Sequence, residues 1–218
     1  MEKRIIKNEF LQLKKTYVKG GFKPLLERFF NYFLMQFVVI GYTYKLDLDK
    51  IQYVPPSRGL TFETMTIYHL DEIYHGYKDE MNERVYQDLL RKLKTPKFEG
   101  FIVKKDGEIC DYCFINYKSS FPRMEFPYVD EKNNGYLLTD YVFNKFRNQK
   151  IQQYDIYSRL MVLKQKNFKT ATGIVERYNY PSRSSIEKFG FKKCVIGFFF
   201  KCGNRRLSKD HFIVLKIK

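Results

Sequence analysis

The dipeptide Asp106-Gly107, set between the alternating runs 101–104 and 108–117, constrains the fold more than any other stretch of the chain. Asp-Gly suits the positive φ values of a two-residue turn whose twist matches that of its flanking strands. The sheet must therefore hold an antiparallel pair in mid-chain. Around that pair, residues 60–70 alternate as a strand. Residues 71–93 read as a helix with Ile73, Tyr77, Val85, Leu89, Leu90 and Leu93 on its buried face, ended by Pro96. Further on come a strand at 135–143, a long helical pattern at 150–165, a strand at 170–178 and a short helix at 182–189. A closing hairpin, 194–201 with 211–217, turns about Gly203-Asn204. The order β-α-β-β-β-α-β-α-β-β predicts an α/β (α+β) fold with a mixed central sheet flanked by helices.

Residues 1–58 read as an extension ahead of a domain at 59–218. Ile6, Phe10, Leu13 and Tyr17 recur at helical spacing, and Leu25, Leu26, Phe29, Phe30, Phe33, Leu34 and Phe37 form a broad apolar stripe among lysines and arginines. The stripe would pack on the domain or on a second copy of the chain as a homodimer, or lie in an anionic membrane interface. Its apolar run at 29–42 is shorter than the roughly 20 residues that span a bilayer. A strand follows at 38–48, and Pro55-Pro56 closes the extension. With no signal-peptide pattern, the expected location is the cytoplasm, with membrane association through the extension.

The 218 residues are 44% hydrophobic, enough for one core without disulfides or a metal. Cys110 and Cys113 form a C-x-x-C on a strand, where a separation of three puts side chains on opposite faces. With His69, His75 and His211 at no ligand spacing from the cysteines, no metal site is expected. The net charge is +16, from 40 basic and 24 acidic side chains. It is concentrated in residues 142–218, which hold 18 basic and 4 acidic residues. Such a field favours anionic partners, phosphorylated cofactors among them.

Three strings carry a resemblance. Lys105-Asp-Gly-Glu-Ile109 is a tight hairpin. The run from Tyr136 to Ile151, YLLTDYVFNKFRNQKI, leads from a strand through a polar turn into a long helix. Asn179-Tyr-Pro-Ser-Arg-Ser-Ser-Ile-Glu-Lys-Phe-Gly-Phe191 has an N-x-x-S followed by K-x-G-F. Over residues 60–218 the chain resembles the GNAT superfamily of acyl-CoA-dependent N-acyltransferases. The resemblance implies acetyl-CoA or another acyl-CoA as co-substrate, held by Tyr141, Val142, Arg147, Asn148, Gln149, Lys150, Ile151, Gln152, Asn179 and Ser182. The family's phosphate turn reads R/Q-x-x-G-x-G/A, so that backbone amides at a helix start can meet a pyrophosphate. Here Arg147 keeps the first position, while Lys150 and Gln152 stand where the family has glycine. Those side chains would either obstruct the phosphates or, for Lys150, grip one. Ile186 stands where relatives often have an acid Tyr.

Asp140 and Glu176, each on a predicted strand, are the candidate catalytic bases, with a structural ion pair as the alternative for either. Three functions compete. The first is transfer of an acyl group, most simply acetyl, to a small-molecule or sugar amine, an amino sugar of a surface polysaccharide precursor among them. The second is a GNAT-fold binding module without catalysis. The third is nucleic-acid binding through Lys192, Lys193, Lys201, Arg205, Arg206 and Lys209 with Phe198, Phe199 and Phe200. No recognised nucleic-acid motif accompanies that cluster, and nucleic acid is not the expected partner.

Overall fold

The computed structural model describes residues 38–57, 59–118, 133–202, 205–206 and 212–216. Among them the strands are β1 (Val38–Asp47), β2 (Leu60–Thr64), β3 (Phe98–Lys105), β4 (Glu108–Asn116), β5 (Asn134–Val142), β6 (Thr170–Glu176), β7 (Lys192–Cys202), β8 (Arg205–Arg206) and β9 (Phe212–Lys216). The helices are α1 (Ile67–Gly76), α2 (Glu83–Leu93), α3 (Ile151–Gln165) and α4 (Tyr180–Lys188). The chain divides into two compact units, of which the larger, Gly41–Ile196 with Val214–Lys218, carries the site. In the smaller, Lys201 faces Arg206 and Cys202 faces Arg205, and the turn expected at 203–204 lies outside the described residues. The apolar stripe at 6–37 and most of the polar stretch 118–134 lie outside the described residues, as do the side chains of Phe198 to Arg206.

Asp106 and Gly107 take φ of 51° and 88°, and Lys105 faces Glu108 across the hairpin. The sheet continues in the order β2-β3-β4-β5-β6-β1-β7. The β5–β6 pair is parallel, and β2–β3, β3–β4, β4–β5 and β1–β6 are antiparallel. This is the mixed sheet the sequence predicts. Its two faces hold separate cores. Cys110 packs with Leu70, Ile73, Leu89, Ile102 and Phe114 beneath α1 and α2, while Cys113 packs with Phe101, Ile156, Leu160, Leu163 and Ile186 beneath α3 and α4. Full burial of each such aliphatic side chain contributes about 1.5–3 kcal/mol. Gly135 lets α3 settle onto β5: a Cβ there would lie 2.2 Å from Leu163 Cδ2. That close approach aligns the start of α3 with the far end of β5.

Three boundaries differ from the sequence reading. The strand expected over 60–70 ends at Thr64, and a capping box between Thr66 and His69 starts α1 at Ile67. The single helix expected over 71–93 is two, because the Asn82 side chain accepts from the Val85 N–H and caps a new start. The boundary at residue 58 also falls inside the domain. β1 pairs with β6 from Gly41–Glu176 to Asp47–Thr170, so this part of the supposed extension is an inner strand.

Candidate active site

The cleft lies at the end of β5, past the stretch that pairs with β6. β5 and β6 pair from Asn134–Thr170 to Leu137–Gly173 and no further. Just beyond, β5 bulges: Tyr112 faces Tyr141 and Phe114 faces Leu138, so Thr139 and Asp140 together oppose Cys113. Thr139 absorbs the extra residue at φ 49°. A bulge of this kind bends the strand and re-aims the side chain that follows it. The bulge is braced from both faces. Lys92 on α2 donates to Thr139 Oγ1 at 2.8 Å, and Arg159 Nη1 on α3 donates to the carbonyls of Phe114 and Leu138 at 3.3 Å each.

A cleft of about 590 Å³ lies beside it, lined by Asp140, Tyr141 and Val142 of β5, by Arg147, Asn148 and Lys150 of the following turn, and by residues opening α3 and α4. The turn itself is fixed. Glu80 accepts from the Asn144 N–H at 2.9 Å and from the Tyr141 hydroxyl at 3.0 Å, Lys145 pairs with Glu108, and Arg147 Nε donates to the Val142 carbonyl. Lys150 enters α3 in the left-handed conformation, φ 63° and ψ 14°, and no side chain caps the helix. A lysine thus occupies backbone geometry that glycine adopts most readily. The first-turn amides of α3 have no side-chain cap, and Arg147 and Lys150 line the same cleft.

Ten of the twelve residues singled out in the sequence line this cleft: Asp140, Tyr141, Val142, Arg147, Asn148, Lys150, Ile151, Gln152, Asn179 and Ser182. Gln149 does not. It turns outward, accepting from Lys105 and donating to the Lys145 carbonyl. Nor does Glu176, which is exposed at the end of β6, where strand parity carries it away from the opening. Asn179 caps α4, accepting from the Ser182 N–H at 3.3 Å. Ile186 is buried against Gly173, within 2.6 Å of where a Cβ on that glycine would stand, and so belongs to the core. Sequence reasoning passed over Phe146, Gln153, Pro181 and Ser185, which also line the cleft; Gln153 accepts from the Tyr53 hydroxyl at 3.0 Å.

Gln152 spans the floor. Its Nε2 donates to Asp140 Oδ2 at 2.7 Å and to Ser182 Oγ at 3.2 Å, joining β5, α3 and α4. Behind Asp140 lies a buried polar cluster. Asp155 and Arg159 form an ion pair at 0% and 1% side-chain exposure, and Asp111 is buried with neither carboxyl oxygen in a hydrogen bond of ordinary geometry. Burial, then the charges of Asp155 and Asp140, raise the Asp111 carboxyl well above the usual range, against the opposing pull of Arg159 and the Tyr141 amide. Burial likewise raises Asp155 to about 6 despite its arginine partner. Three carboxyl groups share one guanidinium here, and burial of Asp111 without a cation of its own favours its protonated form.

No family model matches the sequence, and no curated protein matches it. Solved structures do. A functionally unknown conserved protein from Staphylococcus epidermidis aligns with TM-score 0.56 at 10% identity, covering 81% of this chain and 66% of that one. A glucosamine N-acetyltransferase region of a fungal multi-domain β-N-acetylglucosaminidase aligns at 0.55 and 12%, covering 78% and 22%. The ribosomal-protein-S18-alanine N-acetyltransferase of Escherichia coli aligns at 0.50 and 12%, covering 72% and 94%. The chain therefore spans just under two thirds of the first and about a fifth of the second, but nearly all of the third. Their shared architecture defines the class: this chain has the GNAT fold. Among the described residues no helix is long and apolar enough to cross a membrane, and no group of three or more His, Cys, Asp or Glu side chains could hold a metal ion.

Proposed function

We propose that the chain is an acyl-CoA-dependent N-acyltransferase that moves an acyl group, most simply acetyl, to a primary amine. The observation that carries this reading is the cleft at the end of β5, lined by the uncapped start of α3, by Arg147 and Lys150 and by the half-buried Asp140. The donor set suits a pyrophosphate: first-turn amides of α3, with Arg147 and Lys150 as cations around them. Acyl-CoA would supply an activated thioester, and the protein's residues do the rest. Arg147, Asn148 and Lys150 hold the phosphates, and Asn179 and Ser182 face the other wall. Asp140 takes the proton of the attacking amine. The amine nitrogen bonds to the acyl carbon as the carbon–sulfur bond breaks, and the departing thiolate takes its proton from water, since Ile186 has none to give.

An amino sugar is the acceptor class we favour, because one structural neighbour is described as a glucosamine N-acetyltransferase region. The test is release of free thiol from acetyl-CoA in the presence of a panel of amino sugars and simpler primary amines, with the acetylated product identified by mass. Turnover on at least one amine is expected. Tight coenzyme A binding with no acylation of any amine would instead favour a binding module.

A further inference from the structure

We propose that Gln152 is a latch on this cleft: its side-chain amide, held between Asp140 and Ser182, must swing away for coenzyme A to seat on the start of α3, so that cofactor binding itself releases the Asp140 carboxylate. The inference rests on the acyl-CoA reading above and adds an order to it. Gln152 is the second residue of α3, and its backbone amide is one of those left without an acceptor within the helix. A phosphate approaching that amide meets the Gln152 side chain, which leaves the same turn and crosses the cleft to Asp140. Both amide hydrogens are already engaged, one by Asp140 Oδ2 and one by Ser182 Oγ. Nε2 therefore has no donor left for a phosphate until one bond is broken.

The bond to Asp140 is charge-assisted and 2.7 Å long, the stronger of the two. It occupies one of the two carboxylate oxygens that could accept from an incoming amine. While the latch is closed, an amine arriving alone finds Asp140 Oδ2 engaged and the Gln152 side chain beside it. An anion on the helix start opens it, and the bases of substrate and enzyme then meet only with the acyl donor in place. The cost of opening lowers the affinity for coenzyme A, and a variant lacking the amide regains it.

The test is calorimetric titration of the full-length protein with coenzyme A, for the natural chain, Gln152→Ala, Asp140→Asn and the double variant. Alanine suits a helix interior, and thermal melts in the far ultraviolet confirm that each protein is folded. Gln152→Ala is expected to bind coenzyme A roughly tenfold more tightly, the size of one hydrogen bond to a charged group. Asp140→Asn removes a repulsive charge in either background. If the two side chains act together, its effect in the natural chain should differ at least about threefold from its effect in the Gln152→Ala variant. The side-chain amide resonances of Gln152 should also move on saturation with coenzyme A. Unchanged or weaker binding by Gln152→Ala, or strictly multiplicative effects in the double variant, overturns the latch while leaving the acyl-CoA reading intact. Absence of binding in all four proteins overturns both.

Discussion

Asp140 is the residue on which the proposed chemistry turns. If it takes the amine proton, Asp140→Asn should lower turnover by about 10²–10⁴-fold. Loss at a step reached only in the transition state leaves the amine's apparent affinity nearly unchanged. A fall of less than about threefold in steady-state assays would remove Asp140 from the mechanism. Lys150 makes a different prediction. It holds φ 63° at the entrance to α3, where a Cβ costs roughly 1–2 kcal/mol. Lys150→Gly relieves that strain, partly offset by the greater freedom of glycine in the unfolded chain. Denaturant unfolding should show it equal to the natural protein or up to about 1 kcal/mol more stable, whereas an ordinary surface lysine so near a helix would lose stability on becoming glycine.

At the scale of elements, the bulge in β5 depends on α3. Arg159 satisfies the carbonyls of Phe114 and Leu138 and is itself neutralised by Asp155, all without solvent. Arg159→Met leaves a buried carboxylate without its cation and removes a bond to each of two carbonyls, and should cost about 3–5 kcal/mol. The double variant Arg159→Met with Asp155→Leu should recover much of that loss, which paired melts can measure. Neither residue's burial was legible in the sequence. An Asp and an Arg four apart on a helix read as a solvated pair, and only the sheet above them reveals otherwise. The turn from β5 into α3 was legible, because the strand-to-helix change marks it, and so was the hairpin at Asp106-Gly107. The break between α1 and α2 was hidden by Tyr77 and Val85, which keep helical spacing across it. Gly76 and Asn82 were the signals that could have found it. Gln152 could be placed at its position but not joined to Asp140, since contacts 12 residues apart across a turn have no sequence signature.

Across the whole molecule, two features set its response to solution conditions. The first is the buried acid cluster. Asp111 and Asp155 both hold protons more tightly in the folded protein than in the unfolded chain, Asp155 with a value raised to about 6 from 3.8. The folded state then binds more protons than the unfolded one, and the stability they contribute is present at low pH and lost as the pH rises through the folded value. The window for Asp155 is about 3.8 to 6, and Asp111 extends the decline upward. Asp111→Asn should flatten this dependence and raise the midpoint of unfolding at pH 8. An unaltered slope in melts from pH 5 to 8 would contradict the assignment.

The second feature is the charge of +16, carried mostly by residues 142–218, which include the cations of the cleft. A field of that sign draws polyanions in general, so affinity for a phosphorylated ligand does not by itself identify the site. Selectivity does. The most direct measurement is the thermal midpoint of the full-length protein titrated with acetyl-CoA, coenzyme A and ATP, repeated with Arg147→Glu. The two coenzyme A species should raise the midpoint in the natural protein, by about 2.7 kcal/mol of added stability at 100 times the dissociation constant. ATP should do much less, and the charge reversal at Arg147 should abolish the effect. No shift at millimolar acetyl-CoA, or an equal shift with ATP, would contradict the claim that this cleft is an acyl-CoA site.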